Sequence, residues 1–83
     1  MRLDKYLKVS RVLKRRSVAQ DACAGNKVSV GGKPAKAAAR LKVGDIVTVN
    51  FSNRPFTFRV LKLCEHIKAD DAHTMYEIIS DKL

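Results

Sequence analysis

The sequence predicts an α+β fold in which two short N-terminal helices pack on a small, mostly antiparallel sheet of about five strands. Apolar residues recur with helical spacing before residue 25, and from residue 27 onward they alternate with polar residues. A Gly-Gly pair within the alternating part is typical of a two-residue hairpin turn. Because the chain has 83 residues, we expect a single domain over 1–83 with a modest core.

The first helix is predicted over residues 1–9. Leu3, Tyr6 and Leu7 share one face of such a helix, which indicates that this face is buried. Asp4 stands one turn before Lys8, a spacing that favours a weak ion pair. We therefore expect Asp4 to lie on the solvated face.

The second helix is predicted to begin at Ser17. Ser17 and Gln20 have the spacing of a capping box, in which each side chain binds a free N–H of the first turn. Gly25 stands where a left-handed residue would end the helix. The predicted buried stripe consists of Val18, Ala19, Ala22 and Cys23.

The strands follow from Lys27. Val28 and Val30 alternate with polar residues, Gly31-Gly32 is the predicted turn, and Pro34 places the return strand at a sheet edge because proline has no N–H. Further along we predict a turn at 43–45, a strand at 46–51, a turn at 52–55, a strand at 56–63 and a polar connector with a helical turn at 64–74. Residues 75–80 fit either a last strand or a short helix, and we favour the strand.

Phe56 and Phe58 share a face of the predicted strand at 56–63. Aromatic side chains on a sheet stack bases in some single-strand RNA binders. These two lie in the neutral half of the chain, so we expect them in the core instead.

Charge is distributed very unevenly along the chain. Residues 1–42 carry twelve Lys or Arg against two Asp, whereas residues 43–83 carry five against six acids. The N-terminal half therefore has a net charge of +10 and the C-terminal half of −1, which indicates a binding surface for nucleic acid. Lys14, Arg15 and Arg16 lead into the second helix, whose N-terminus also favours a phosphate.

Other functions fit the sequence less well. An anionic membrane would favour a longer amphipathic helix with Trp or Phe, and the basic region has neither. Cys64, His66 and His73 lack the spacing of a metal site, so we expect no metal, no cofactor and reduced thiols. A DNA reader needs base-contacting side chains that Gln20 and Asp21 do not provide. We find no catalytic motif and expect no enzyme.

Several motifs then identify a family by resemblance. They are Arg2-Leu3-Asp4-Lys5-Tyr6-Leu7, Ser10-Arg11, Gly25-x-x-Val28-x-Val30-Gly31-Gly32 and Val43-Gly44-Asp45. Together they resemble the alpha-L RNA-binding domain, named after the fourth protein of the small ribosomal subunit. The resemblance covers residues 2–49, and residues 50–83 are expected to supply strands that complete the sheet. Many members have Asn at position 31, where Gly permits the same positive φ.

The resemblance runs nearly end to end with the compact ribosome-associated quality-control proteins of this family. It includes Met1-Arg2-Leu3-Asp4-Lys5, Lys8-Val9-Ser10-Arg11, Lys14-Arg15-Arg16 and Met75-Tyr76. It implies a cytoplasmic, ribosome-associated protein that binds rRNA and peptidyl-tRNA on obstructed large ribosomal subunits. There it would support a nascent-chain tailing factor that adds alanine to the stalled chain. The alternatives are a heat-shock-type recycling factor for free large subunits, whose long basic C-terminal extension we do not expect here, and a general structured-RNA-binding module. We expect a monomer without membrane contact.

The candidate RNA-binding residues are cations, most of them in the first sixteen residues, where they offer many phosphate contacts. Arg2 and Arg16 are marked by the family resemblance as well as by charge. The full set is Arg2, Lys5, Lys8, Arg11, Lys14, Arg15, Arg16 and Lys36.

Overall fold

Two helices cover the apolar face of a five-stranded antiparallel sheet in the computed structural model, which describes residues 1–51 and 54–80. The strand order is β2-β1-β3-β4-β5, so the predicted fold class is confirmed. The elements are α1 (Leu3–Val9), α2 (Arg16–Ala24), β1 (Val28–Val30), β2 (Lys33–Pro34), β3 (Ile46–Phe51), β4 (Arg54–Val60), a 3-10 helix (Ala69–Met75) and β5 (Tyr76–Ser80).

The strand register places apolar side chains opposite one another on one face. Val28 pairs with Val49, and Val47 lies between Val30 on β1 and Phe58 on β4. Cross-strand apolar pairs of this kind are the main source of sheet stability. Leu3, Tyr6 and Leu7 of α1 are fully buried against this face, as the helical spacing predicted.

The aromatic residues form part of this core, which confirms their predicted packing role. Phe58 is fully buried, and its ring lies 6.1 Å from that of Tyr6 and 5.3 Å from that of Tyr76. Phe56 is half-buried, with its ring centroid 5.7 Å from that of Phe58.

The β1–β2 hairpin turns at Gly31 and Gly32, both with positive φ, of 61° and 84°. Two consecutive positive φ values define the turn type that matches the twist of antiparallel strands. β2, with Pro34, stands at the edge of the described sheet, so both predictions are confirmed.

The predicted start of α2 is wrong. The helix begins at Arg16, after an extended Arg15, and within the described residues no side chain caps its first turn. The Gln20 amide donates instead to Asp4, because that buried carboxylate needs donors. A capping box involves only residues close in sequence. Here Asp4, 16 positions before Gln20, accepts the hydrogen bond that the Gln20 side chain would have made within the box.

The predicted end of α2 also differs. Gly25 has φ −85°, and the left-handed residue is Asn26, at φ 59°. Asn tolerates this conformation better than most side chains, so it can follow the helix in place of glycine. Ala19 and Cys23 are buried as predicted, but Val18 is 45% exposed, since the helix turns that side away from α1 and the sheet.

The segment at residues 36–41, which carries no periodic signal, fixes α1 in place. The N–H groups of Leu3 and Asp4 donate to the carbonyls of Ala39 and Ala37, at 2.8 and 3.1 Å. These N–H groups belong to the first turn of α1 and have no partner inside the helix. The connector thereby supplies the acceptors that the helix itself lacks.

The C-terminal elements appear largely where the sequence predicted them. β5 and the helical turn before it are confirmed, whereas β4 ends at Val60, three residues earlier than expected. The predicted turn at 52–55 is wrong at Arg54 and Pro55, which belong to β4 and pair with β3, while residues 52–53 lie outside the described residues. No helix in the described parts of the chain is long and apolar enough to cross a membrane.

We predict that Tyr6→Phe destabilises the protein without changing its fold. The buried Tyr6 hydroxyl donates to the Met75 carbonyl at 2.7 Å, linking α1 to the C-terminal elements. Because that carbonyl also accepts from Leu61 N–H, at 2.8 Å, it keeps a partner, and we expect a loss of about 1 kcal/mol in the free energy of unfolding. Urea denaturation measures this, and an unchanged midpoint would contradict the role of the bond.

Candidate RNA-binding interface

The Asp4 carboxylate is fully buried and is the centre of a hydrogen-bond cluster. Its Oδ1 accepts from Nε of Arg2 at 3.2 Å, from the Lys5 N–H at 2.8 Å and from Nη2 of Arg16 at 3.4 Å. Its Oδ2 accepts from Nη2 of Arg2 at 3.3 Å, from Nε of Arg16 at 3.1 Å and from the Gln20 amide at 3.0 Å. We call these residues the Asp4 cluster.

This burial corrects the prediction that Asp4 would pair with Lys8 on the solvated face of α1. The helical spacing of the pair is right, but two arginines compete for the same carboxylate. A guanidinium forms two parallel bonds to a carboxylate, which an ammonium cannot do. One of these arginines lies twelve residues away on α2, so spacing within α1 could not reveal it.

Both arginines use the same edge of the guanidinium to hold Asp4, namely Nε and Nη2. Each guanidinium carries five N–H donors, so donors remain on the outer side. The Arg2 side chain is 43% exposed and the Arg16 side chain 44%, which leaves those donors open to a ligand. The cluster therefore holds two arginines rigidly while their outer edges face solvent.

The environment of Asp4 favours its charged form. Burial alone raises the pKa of the carboxyl group, because the carboxylate loses water. The hydrogen bonds from Gln20, Arg16, Arg2 and the Lys5 N–H outweigh this effect, and together they lower the pKa to about 2 from its usual 3.8. Asp4 is thus an anion at any physiological pH, and each arginine keeps its partner.

Two surface grooves flank the Asp4 cluster. The first, which we call the Lys5 groove, has a volume of about 370 Å³ and is lined by Lys5, Lys8, Val9, Arg11, Arg16, Glu65, His66 and Ile67. The second, the Lys36 groove, has a volume of about 310 Å³ and is lined by Arg2, Gln20, Cys23, Ala24, Lys36, Ala37 and Ala38.

The Asp4 cluster joins the two grooves. Arg16 lines the first and Arg2 the second, and both bind the same carboxylate. The cations of the two grooves are therefore linked through one buried carboxylate.

The structure brings together six of the eight predicted site residues. Arg2, Lys5, Lys8, Arg11, Arg16 and Lys36 line the two grooves. Lys14 and Arg15 are exposed next to Arg16 but line neither groove. Their place in the site rests on chain proximity alone.

Arg11 occupies its place through an unusual backbone conformation. Its φ is 67°, in the left-handed region that non-glycine residues rarely adopt. The turn is held on both sides, because Ser10 is fully buried and Leu13 N–H donates to the Leu7 carbonyl at 3.0 Å. Such conformations persist where the surrounding structure fixes them, and they are common at binding sites.

Sequence reasoning missed the contribution of the C-terminal half to this surface. Glu65, His66 and Ile67 form one wall of the Lys5 groove, and Glu65 makes an ion pair with Lys5, sixty residues away. The pair lowers the pKa of the Glu65 carboxyl, through its hydrogen bond and its charge attraction to Lys5. A polar connector gives no local signal of such a long-range contact.

The Lys and Arg side chains that line the two grooves are suited to anions and not to metal ions. Within residues 1–51 and 54–80, no three His, Cys, Asp or Glu side chains come together as a metal site. Both cysteines are free, and burial raises the pKa of the Cys23 thiol, so that this thiol stays protonated.

Comparison with known proteins gives consistent matches. The model of the S4 domain family matches residues 1–47. The RQC P-site tRNA stabilizing factor of Streptococcus pneumoniae is 47% identical, over 98% of this chain and 92% of its own length. The protein of the same name from Bacillus subtilis is 40% identical, over 99% of this chain and 95% of its own. These matches confirm the family resemblance carried by the N-terminal motifs.

A solved structure has the same fold. The trimeric structure of heat shock protein 15 from Vibrio cholerae superposes with a TM-score of 0.88 at 28% sequence identity, covering 96% of this chain and 82% of that one. The likeness extends beyond the S4 domain to the C-terminal strands.

We predict that Asp4→Asn lowers the free energy of unfolding at neutral pH by about 2 kcal/mol, as expected from the lowered pKa of the carboxyl. Because the folded-state pKa lies below the unfolded one, this stabilisation is complete above about pH 4. It is lost as the pH falls through about 2. The difference between wild type and variant should therefore shrink in acid, which urea denaturation at several pH values measures.

Asp21→Asn is the matched control, since Asp21 is an exposed helical residue. It should change stability by less than about 0.5 kcal/mol at any pH. A difference between Asp4→Asn and wild type that stays constant down to about pH 2 would contradict the charged state of Asp4.

Proposed function

We propose, since this chain belongs to the S4 domain family and within it to the RQC P-site tRNA stabilizing factors, that it binds rRNA and tRNA on the large ribosomal subunit. It acts there as a clamp that stabilises tRNA in the P site. More finely, its target is a large subunit obstructed by peptidyl-tRNA, where it supports a tailing factor that extends the stalled chain with alanine. It works in the cytoplasm, as a monomer and without chemistry of its own.

The observation that carries this proposal is the pair of cationic grooves joined by the Asp4 cluster. Six lysines and arginines line the two grooves, and two of them are held by a buried carboxylate. Contacts of this kind go to phosphates and fix the position of a binder without reading bases. Structured RNA hides most base edges in a deep, narrow groove, so a surface that recognises backbone and shape suits it.

The geometry also explains how binding can stabilise a tRNA. The exposed lysines attract the RNA electrostatically. The guanidiniums of Arg2 and Arg16 act as forks, since each offers N–H donors in a fixed position to phosphate oxygens. The forks lose little conformational freedom on binding, because Asp4 already holds them. A rigid clamp between rRNA and tRNA reduces the dissociation of the tRNA, and no covalent step is needed.

A second function is favoured by the fold likeness to heat shock protein 15. In that case the chain would bind free large subunits whether or not they carry peptidyl-tRNA. Co-sedimentation with purified large subunits, prepared with and without peptidyl-tRNA, separates the two. We expect clear enrichment on subunits that carry peptidyl-tRNA, and equal binding to both would favour the second function.

We predict that binding to large subunits depends steeply on salt. Six groove cations that each neutralise a phosphate release counterions, with a slope of about −0.7 per contact in a plot of log K against log salt. The total slope should be about −4. Raising monovalent salt from about 50 to about 200 mM should weaken binding at least a hundredfold. A slope near zero in fluorescence titrations would contradict the electrostatic account.

We further predict that Arg16→Ala weakens subunit binding about tenfold or more, because it removes a forked, charge-assisted contact. Arg16→Lys should recover only part of the affinity, since an ammonium cannot fork to Asp4 and a phosphate at once. Thermal melting should show a folded protein of reduced stability, because Asp4 keeps Arg2 and Gln20 as donors.

The matched control is Lys62→Ala, which removes an exposed cation that lines neither groove. It should change affinity less than about twofold. Wild-type affinity in Arg16→Lys, or equal losses in Lys62→Ala and Arg16→Ala, would contradict the role of the fork.

A further inference from the structure

A carboxylate stands inside the Lys5 groove. Glu65 lines this groove with four cations and pairs with Lys5, one of the two lysines by which α1 lines the groove. The Glu65 side chain is 63% exposed and that of Lys5 is 32% exposed, so the pair sits at the open surface. An acid at this position opposes the binding of any polyanion to the groove.

From this pair, and on the basis of the proposed function, we propose that Glu65 occupies a phosphate site in the free protein. RNA binds by exchange, in which a backbone phosphate takes the place of the Glu65 carboxylate on Lys5. Glu65 is then a specificity-determining residue, because only a ligand that brings several phosphates to the groove can displace it.

The exchange is physically easy at this site. Ion pairs at exposed positions are weak, because water and salt screen both charges and the long side chains lose freedom. A phosphate held at the same time by Arg11 and Arg16 gains contacts that Glu65 does not have. The released carboxylate rotates into water, where it is fully solvated.

The segment around Glu65 does not need this ion pair to stay in place. Cys64 and Ile67, on either side of Glu65, pack against the hydrophobic core. Just before them, Leu61 and Lys62 N–H groups donate to the Met75 carbonyl, at 2.8 and 3.2 Å. The backbone is therefore fixed by other contacts, and a structural role for the carboxylate would be redundant.

The consequence is selectivity among RNAs. A loosely bound or single phosphate gains little from Lys5, since it must first displace Glu65. An RNA whose backbone follows the groove reaches several cations together, and the combined contacts outweigh the lost pair. Glu65 thus lowers affinity by the same factor for every RNA that uses Lys5, and only RNAs with several other contacts still bind well.

The test uses Glu65→Gln in the full-length protein, titrated with purified large ribosomal subunits and, separately, with bulk tRNA. Removing the competing carboxylate should tighten binding about two- to fivefold, for subunits and for bulk tRNA alike. The slope of log K against log salt should stay near its wild-type value, since Lys5 neutralises one phosphate and so releases the same counterion from the RNA in both proteins. Thermal melting should change little.

Glu77→Gln is the matched control, because Glu77 forms a similar exposed ion pair, at 2.8 Å, with Arg59 on β4. It removes the same charge from a pair that does not line the Lys5 groove. The affinity and the salt slope of this variant should equal those of the wild type within error. In a Lys5→Gln background, Glu65→Gln should tighten binding less than it does in the wild type.

Equal or weaker binding by Glu65→Gln overturns the proposal, as do full additivity with Lys5→Gln and an equal gain in Glu77→Gln. These results differ from a failure of the proposed function. In that case the wild type itself would bind neither subunits nor tRNA, and the exchange would be excluded with it.

Discussion

The burial of one carboxylate, Asp4, is the constraint on which the rest of the structure depends. A buried charge without partners would be strongly destabilising, so the fold must bring donors to it. The donors come from three places: the residue before α1, the first turn of α1 itself, and α2. The helices are thus held together by a polar contact as well as by apolar packing. Because the two guanidiniums remain half-exposed, they lose less hydration than a fully buried pair would. The same compromise gives the protein its binding surface, since two positive charges surround one negative charge and the excess faces solvent.

The C-terminal half of the chain, whose net charge is near zero, holds α1 in this arrangement through contacts with Tyr6. β4 and β5 supply Phe58 and Tyr76, which pack under α1, and the Met75 carbonyl receives the Tyr6 hydroxyl. α1 has only seven residues and would not be stable alone, so its orientation depends on these contacts and on the connector at 36–41. The division of charge between the two halves follows from this division of labour. The N-terminal half carries the cations of both grooves, whereas the C-terminal half has a small net negative charge and contributes a wall without Lys or Arg to the Lys5 groove.

Local patterns predicted most of the fold. The apolar spacing of α1, the Gly31-Gly32 turn and the alternating valines each depend on residues close in sequence, and each was found as expected. The errors lie where distant residues compete. Gln20 was assigned to a capping box and binds Asp4 instead, and Asp4 was assigned to Lys8 and binds two arginines. Likewise, charge placement identified six of the cations that line the grooves, but nothing in a polar connector indicated that Glu65 would meet Lys5. A sequence specifies such contacts only through the complete fold.

The two types of cation on this surface have different physical roles. Lysines carry a compact, well-hydrated charge on a flexible chain, so they attract RNA over a distance that salt controls. Arg2 and Arg16 are fixed by Asp4, and their remaining donors can meet phosphate oxygens in only a narrow range of geometries. Attraction and orientation are thereby assigned to different residues. A factor that only needed to reach a large subunit could use lysines alone. One that must hold a tRNA in a defined position needs donors that do not move with it, and the buried carboxylate fixes the two guanidiniums that carry such donors.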